Sequence, residues 1–275
     1  MSNIKNKHIK EIKDNEELFY SYINEINKIA PNAIEDVINH IKDNMGILGL
    51  PSNDDINELF KSYKVSDKGC LGKLLEYALF NQKPNSDSNP DLKEGDFKVT
   101  TFNKLQNGNY NAKERLTITN CGDTNNYDSF KHIVECEKLS DSKLYPKIKA
   151  GIVFIVGQDD KYKYKDIQEK LKQKMLLIIT YKMDYMSEEI TTIINEDFEK
   201  IKQSIKNHAV SQKGQRYLHI HRHGSKGSGS RALGFTHRFL TIITAETLSN
   251  LKGKDLSEIL ETKGRSISIK KEFLY

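Results

Sequence analysis

The chain has 275 residues, of which 37% are apolar and 29% charged, and its net charge is +5. That length supports a sizeable core in one large or two small domains, and no run approaches the ~20 apolar residues of a membrane span. Cys70, Cys121 and Cys136 are odd in number and lack CxxC spacing, which argues against a disulfide frame or a zinc cage and fits reduced thiols in a cytoplasmic protein. The opening MSNIKNKHIKEIKDNEE has no apolar h-region, so export is not expected.

The charge is unevenly spread. Residues 201–275 hold 14 Lys and Arg against 5 Asp and Glu, whereas residues 1–200 hold 29 against 33. Five of the eight histidines also fall in the basic part. This asymmetry fits a polyanion-binding lobe beside an acidic, metal-binding one, and it fits a solvated basic surface equally well.

In chain order, residues 16–29 place Leu18, Phe19, Tyr22, Ile23 and Ile26 at helical spacing, and Pro31 ends that helix. Ala33 to Met45 repeats the pattern with Ile34, Val37, Ile38 and Ile41 until Gly46 and Gly49-Leu50-Pro51 break it. Ser52 or Asn53 caps a third short helix through Phe60. These helices carry no chemistry of their own and are expected to form a packing platform over residues 1–66.

A fourth helix is predicted from Lys68-Gly69, with Leu71, Leu74, Leu75, Ala78 and Leu79 as its buried stripe. Gly69, Gly72 and Glu76 share a different face. An interior helix glycine costs about 1 kcal/mol against alanine, so Gly72 needs a packing or functional reason. Glu76 is read either as a surface acid or as a site acid. Asn81 to Pro90 is a loop by composition, followed by Asp91 and an alternating stretch, Asp96 to Phe102. Period two puts Asp96, Lys98 and Thr100 on one side of a strand and Phe97, Val99 and Thr101 on the other. Two carboxylates offer hard oxygen ligands to a divalent cation that can polarise a phosphodiester and activate water. A lysine two residues on can orient that water or offset charge growing on phosphorus. A chain this rich in Asp, Glu and Lys also produces such a spacing by chance, so the pattern alone settles nothing.

Downstream, Gln106-Asn107-Gly108 is a turn signal and Arg115 to Thr119 reads as the strand returning from it. Gly151 to Val156 and Met175 to Ile179 are apolar runs suited to buried strands of a mixed sheet with helices on its faces. Ser187 caps a long helix to about His208, with Ile190, Ile193, Ile194, Phe198, Ile201 and Ile205 as its core stripe. Tyr217, His219, His221 and His223 then alternate with Leu218, Ile220 and Arg222. Histidines two apart on a strand can hold a transition metal, but His219 and His223 are too far apart to share an ion undistorted, and no acid or Cys stands nearby. The loop GSKGSGSR is either a flexible linker or a place where amides, hydroxyls, Lys226 and Arg231 approach phosphates and base edges. Leu240 to Leu251 reads as a closing helix, and Ser266 to Ile269 as a last edge strand.

Five of these segments, taken together, resemble the MutH and Sau-type (GATC-cutting) restriction endonuclease family. KGCLGKLLE is similar to its glycine-glycine-glutamate helix, and PDLKEGDFKVTTF to its acid…acid-x-lysine strand. NKLQNGNYNAKERL is similar to the continuation in the Sau-type enzymes, including the Asn-Gly turn and the Lys-Glu-Arg-Leu run. YPKIKAGIVFIVG resembles a lysine-bearing segment before a central strand, and YLHIHRHGSKGSGSRALGFTHRF the DNA-reading region. The pieces stand in family order from about Lys68 to Leu240.

The resemblance implies an α/β (α+β) restriction-endonuclease-like fold: a mixed central sheet flanked by helices, a helical N-terminal part (residues 1–66), a nuclease core (67–210) and a basic C-terminal DNA-reading lobe (211–275). It implies catalytic roles for Glu76, Asp91, Asp96, Lys98 and, as a second lysine, Lys147. Mg²⁺ would be held by Asp91, Asp96 and the carbonyl of Phe97. DNA contacts would come from Lys68, Gly69, His221, Arg222, His223, Lys226, Arg231 and Arg238. The chain departs from the family in two places. Four residues separate Asp91 from Asp96 where the family has six, with Asp in place of Glu at the second acid. His221-Arg222-His223 stands where the family has Arg-Pro-Lys or Arg-Pro-His.

The implied activity is that of a cytoplasmic type II restriction endonuclease, cutting double-stranded DNA, with GATC as the suggested site. It would work as a monomer or as a homodimer on DNA, away from membranes, alongside a cognate DNA methyltransferase acting on the same sequence. A MutH-like strand nickase of mismatch repair and a DNA-binding module without catalysis are the other readings. The close likeness through NKLQNGNYNAKERL favours restriction over repair, and the full set of acids and lysines argues against a decayed site.

Overall fold

The structure is a computed structural model and describes residues 3–61, 63–64, 69–84, 90–158, 164–210 and 213–274. The first helix, α1 (Ile9–Asp14), has no counterpart among the sequence expectations, because six residues with only Ile9 and Ile12 buried are too short to display a helical period. The expected helix follows as α2 (Glu16–Ile29), capped by Asn15 and burying Phe19, Tyr22, Ile23 and Ile26. After Pro31 come a two-residue strand β1 (Asn32–Ala33) and α3 (Ile34–His40), which continues as a π-helical turn over Ile41–Met45. Of the two candidate caps for α4 (Asn53–Phe60), Ser52 is the one used, in a reciprocal capping box with Asp55. Next comes α5 (Cys70–Phe80), with the expected leucine stripe buried.

The strand expected at Asp96 is β2 (Asp96–Lys104), and Gly108 at φ 86° turns the chain into β3 (Tyr110–Ala112). The expected return at Arg115–Thr119 is corrected here. Three-residue β3 takes the place beside β2, and β4 (Leu116–Asp123) joins a separate three-stranded sheet. The chain passes between them through the exposed Lys113 and Glu114, so the alternation in Leu116–Thr119 belongs to a different partner strand. The rest of the chain runs α6 (Lys131–Val134), α7 (Tyr145–Ile148), β5 (Ala150–Gln158), α8 (Ile167–Leu171), β6 (Lys174–Lys182) and α9 (Glu188–Lys206). It ends with β7 (Leu218–Arg222), β8 (Ser230–Phe235), α10 (His237–Lys252), α11 (Leu256–Ile259), β9 (Leu260–Lys263) and β10 (Ser266–Ile269). Two expectations shift: Ser230 and Arg231 open β8 rather than belonging to the glycine-serine loop, and β9 lies outside β10, which is therefore not an edge.

The chain is a mixed α/β protein whose strands pair mostly antiparallel and are flanked by helices. It divides into two compact units, neither continuous in sequence: Met1–Tyr110 with Ile152–Ile179 and Lys270–Tyr275, and Asn111–Gly151 with Thr180–Ile269. In the first unit the strand order is β1-β6-β5-β2. Ile152, Phe154 and Val156 of β5 join the helices in one core that includes Phe19, Tyr22, Phe80 and Phe97, while Val153 and Ile155, pointing the other way, are also fully buried. Burial on both faces is why these strands read as unbroken apolar runs. Asn27 on α2 clamps β6, giving and taking hydrogen bonds with the backbone of Ile178 (2.8 and 2.7 Å).

In the second unit β8 lies between β4 and β7, antiparallel to both, so that Phe235 stands opposite Leu116 on one side and Leu218 on the other. The carboxylate of Asp197 on α9 is wholly buried and accepts from the backbone N–H groups of Arg216, Tyr217 and Leu218 at 2.6–3.1 Å, which ties α9 to the start of β7. No helix among the described residues is long and apolar enough to cross a membrane.

Candidate active site

All of the acids and the first lysine of the expected site lie in the first unit. Glu76 sits near the end of α5, a helix so apolar that it buries nine of its residues, Glu76 among them. The surface-acid reading is therefore wrong: only 9% of Glu76 is exposed, and its Oε1 is buried without a hydrogen-bond partner. Burial is the largest cause pushing its carboxyl up to about 7, and the charges of Asp91 and Asp96 add to it while Lys98 and Lys13 oppose it. Lys13 was not among the expected site residues. It comes from α1, whose brevity hid it, and burial lowers its own ammonium pKa.

Gly72, on the same helix, has a simpler role than its spacing suggested. A Cβ added there would meet Val99 of β2 at 3.7 Å, an ordinary contact, so what approaches this glycine is the neighbouring strand. Phe97 packs in the same direction, with its ring 5.5 Å from that of Phe80.

Asp91 reaches the strand through a tight turn. Leu92 and Gly95 exchange backbone hydrogen bonds of 3.1 Å in both directions, and Gly95 takes φ 137° to allow it. The turn folds Asp91 back so that its Oδ2 accepts from the Phe97 N–H at 3.2 Å. Glu94, the other acid of the turn, is buried within it.

Asp96 opens β2 with 2% of its surface exposed, and Lys98 extends along the same face as expected. The Lys98 ammonium lies 2.5 Å from Asp96 Oδ2 and 3.7 Å from Asp91 Oδ2, and it donates to the Phe97 carbonyl at 3.0 Å. Burial raises the Asp96 carboxyl to about 6; Lys98 opposes the rise and a hydrogen bond with Asp91 adds to it. Geometry and protonation pull in opposite senses here, and burial outweighs the ammonium.

The three oxygens assigned to Mg²⁺, from Asp91, Asp96 and Phe97, thus already converge on one cation, the Lys98 ammonium. They are hard oxygen donors of the kind Mg²⁺ takes, and in this respect the residues fit the ion. Among the described residues no three Asp, Glu, His or Cys side chains form a metal-ligating group, so the protein's third donor would be the backbone carbonyl.

The remaining expected residues are dispersed. Lys68 lies outside the described residues, and Gly69 is the exposed N-cap of α5. Lys147 is half-buried on α7 in the second unit. Arg222, His223 and Lys226 are exposed at the β7–β8 connection, where Gly224 and Gly227 take φ 87° and 93°. His221 is buried, its Nε2 sharing a 3.0 Å hydrogen bond with the Thr117 hydroxyl. Arg231 is also buried, and its guanidinium donates to the carbonyls of Gly229 and Ser230 at 2.8 and 3.0 Å, holding its own hairpin. Arg238 is half-buried on α10 and donates to the Arg265 carbonyl at 3.4 Å. Arg231 lies on β8 and its side chain is buried there.

No protein-family model matches the chain, and no curated protein matches it.

Proposed function

We propose that this chain is a Mg²⁺-dependent, site-specific endonuclease of restriction-endonuclease-like fold, a type II restriction enzyme cutting double-stranded DNA, with GATC as the candidate site. The observation that carries the reading is the convergence of Asp91, Asp96 and the Phe97 carbonyl on a single cation, Lys98, beside a buried Glu76. The resemblance of the flanking segments supplies the substrate class, and the basic stretch at residues 201–275 supports it.

When bound, Mg²⁺ supplies Lewis acidity at a phosphodiester oxygen and lowers the pKa of water. Asp91 and Asp96 would hold it, with the Phe97 carbonyl as a further oxygen. Lys98, which pairs with both acids here, would offer its ammonium to the attacking water or to charge developing on the phosphoryl oxygens. Glu76, raised to about 7, can hold or release a proton at Oε1 at neutral pH, which suits proton transfer beside the reacting centre. Lys147 has the role of second lysine by resemblance alone.

Incubating the protein with supercoiled plasmid and Mg²⁺ tests the proposal. Linear fragments of fixed size support restriction, and their sequenced ends give the site. Open circles alone would instead support a MutH-like nickase, and unchanged plasmid that is nevertheless bound would support a DNA-binding module.

A further inference from the structure

A cavity of about 450 Å³ opens in the second unit at β7. Its lining includes Arg115, Lys213, His219, His221, Arg222 and Arg231 and, among the described residues, no Asp or Glu. Three of the lining side chains carry a buried nitrogen with no hydrogen-bond partner: Nε2 of His219, Nδ1 of His221 and Nε of Arg231. His221 is 5% exposed and Arg231 8%, so these orphaned nitrogens belong to the wall and not to mobile surface chains. Buried polar atoms ordinarily have partners, and each one left without a partner carries a desolvation cost.

The local fold is built around the two imidazoles. They stack at 4.6 Å with an interplanar angle of 18°. Gly234 of β8 makes room for His221, since a Cβ there would meet its Cε1 at 3.1 Å and collide with the Leu116 carbonyl. In near-parallel rings the in-plane lone pairs do not converge on one point, which disfavours a shared metal ion. A site made of N–H donors and guanidinium groups, with no carboxylate, suits an oxyanion.

We propose that this cavity is a binding site for a phosphate-class oxyanion, and that binding is coupled to proton uptake by the stacked His219–His221 pair. The basic side chains of the wall meet the ligand's negative charge, and that charge compensates a protonated imidazole. Among the described residues, the groups whose charge acts on the pair are basic side chains, Arg115 ahead of β4, His223 beyond β7 and His237 on α10, with Lys213, Arg222 and Arg231 in the wall, while the Asp197 carboxylate is taken up by the backbone at the start of β7. Burial first, then these neighbours, holds His219 down to about 4 and His221 to about 3. An anion reverses that balance, so its affinity rises as pH falls. A backbone phosphodiester of nucleic acid and a free phosphate offer the same chemistry. The inference does not rest on the nuclease reading, since none of the carboxylates of that site takes part.

Sulfate is a suitable probe because its charge does not change over the range used. It is titrated into the full chain in metal-free buffer while the ¹⁵N resonances of the histidine rings are followed. We expect His219 and His221 to shift, with binding about tenfold tighter near pH 5.5 than near pH 8, a difference of about 1.4 kcal/mol. Arg115→Gln, at an exposed position, should weaken binding about tenfold, and His219→Gln should flatten the pH dependence. Histidines that do not respond, equal affinity at both pH values, or undiminished affinity in Arg115→Gln would each overturn the proposal. So would Zn²⁺ shifting both rings at lower concentration than sulfate. A short DNA duplex that competes with sulfate identifies the backbone phosphate as the ligand, and failure to compete identifies a free anion; both outcomes retain the site. Lys98→Ala leaves these titrations unchanged, so failure of the nuclease reading and failure of this one are separable.

Discussion

The Lys98 ammonium lies 2.5 Å from Asp96 Oδ2, and yet the Asp96 carboxyl is pushed up to about 6. Both facts follow from position. Asp96 opens a strand whose start is covered by the Leu92–Gly95 turn, so its carboxylate loses water on almost every side, and the Lys98 ammonium has to offset that loss and the neighbouring Asp91 together.

Replacing Lys98 with methionine keeps the stem and removes the charge. Cleavage should fall by at least ~100-fold, the scale of a lost proton-transfer or charge-stabilising group, while DNA affinity in EDTA is kept. Undiminished cleavage would remove Lys98 from the active site. At pH 8 the same variant should lose about 2 kcal/mol of stability in urea, because Asp96 is left buried and charged without its partner. Below about pH 4, where Asp96 is protonated, the loss should disappear.

Glu76 gives a pH signature. Its pKa rises from an ordinary 4.5 to about 7 in the fold, and that of Asp96 from 3.8 to about 6. The folded state therefore binds these protons more tightly than the unfolded chain does. The stability they contribute is complete below the unfolded values and is lost as pH rises toward 7. Glu76→Gln, which cannot ionise, should melt a few degrees above the parent at pH 8, at about 2–4 °C per kcal/mol, and no higher near pH 4. Parallel melting curves at both pH values decide it.

Two glycines near the site should behave in opposite ways. Gly72→Ala meets only an ordinary contact with Val99 and gains helix propensity, so stability should hold or rise by up to ~1 kcal/mol. Gly95→Ala forces a side chain into φ 137° and should cost about 1–2 kcal/mol. It should also weaken Mg²⁺ binding by calorimetry, since the turn positions Asp91. Equal effects at the two positions would contradict the geometry.

Asp197→Asn tests the joint between α9 and β7. The carboxylate accepts backbone N–H groups from three successive residues, and an amide keeps only one acceptor oxygen and introduces donors among donors. A loss of about 3 kcal/mol or more in chemical denaturation is expected. A neutral outcome would mean that the start of β7 is held by packing alone.

Much of this was readable from the sequence. Long helices announce themselves by period, as α2 and α9 did, and α9 also by its cap Ser187, because a buried stripe and a cap are local properties. The apolar runs of β5 and β6 marked buried strands, and period two placed Lys98 beside Asp96. Pairing was not readable. Nothing local tells β4 to leave the β2 turn and join β8, nor turns Arg231 inward, since partner strands lie far apart in sequence. Lys13 and the depth of Glu76 were equally hidden, because burial is a property of what covers a residue. The sequence by itself determined which side chains could do chemistry and the local elements that carry them. Only the tertiary structure decided which are out of water, and hence that burial raises the Glu76 and Asp96 carboxyls to about 7 and about 6 and lowers the two imidazoles.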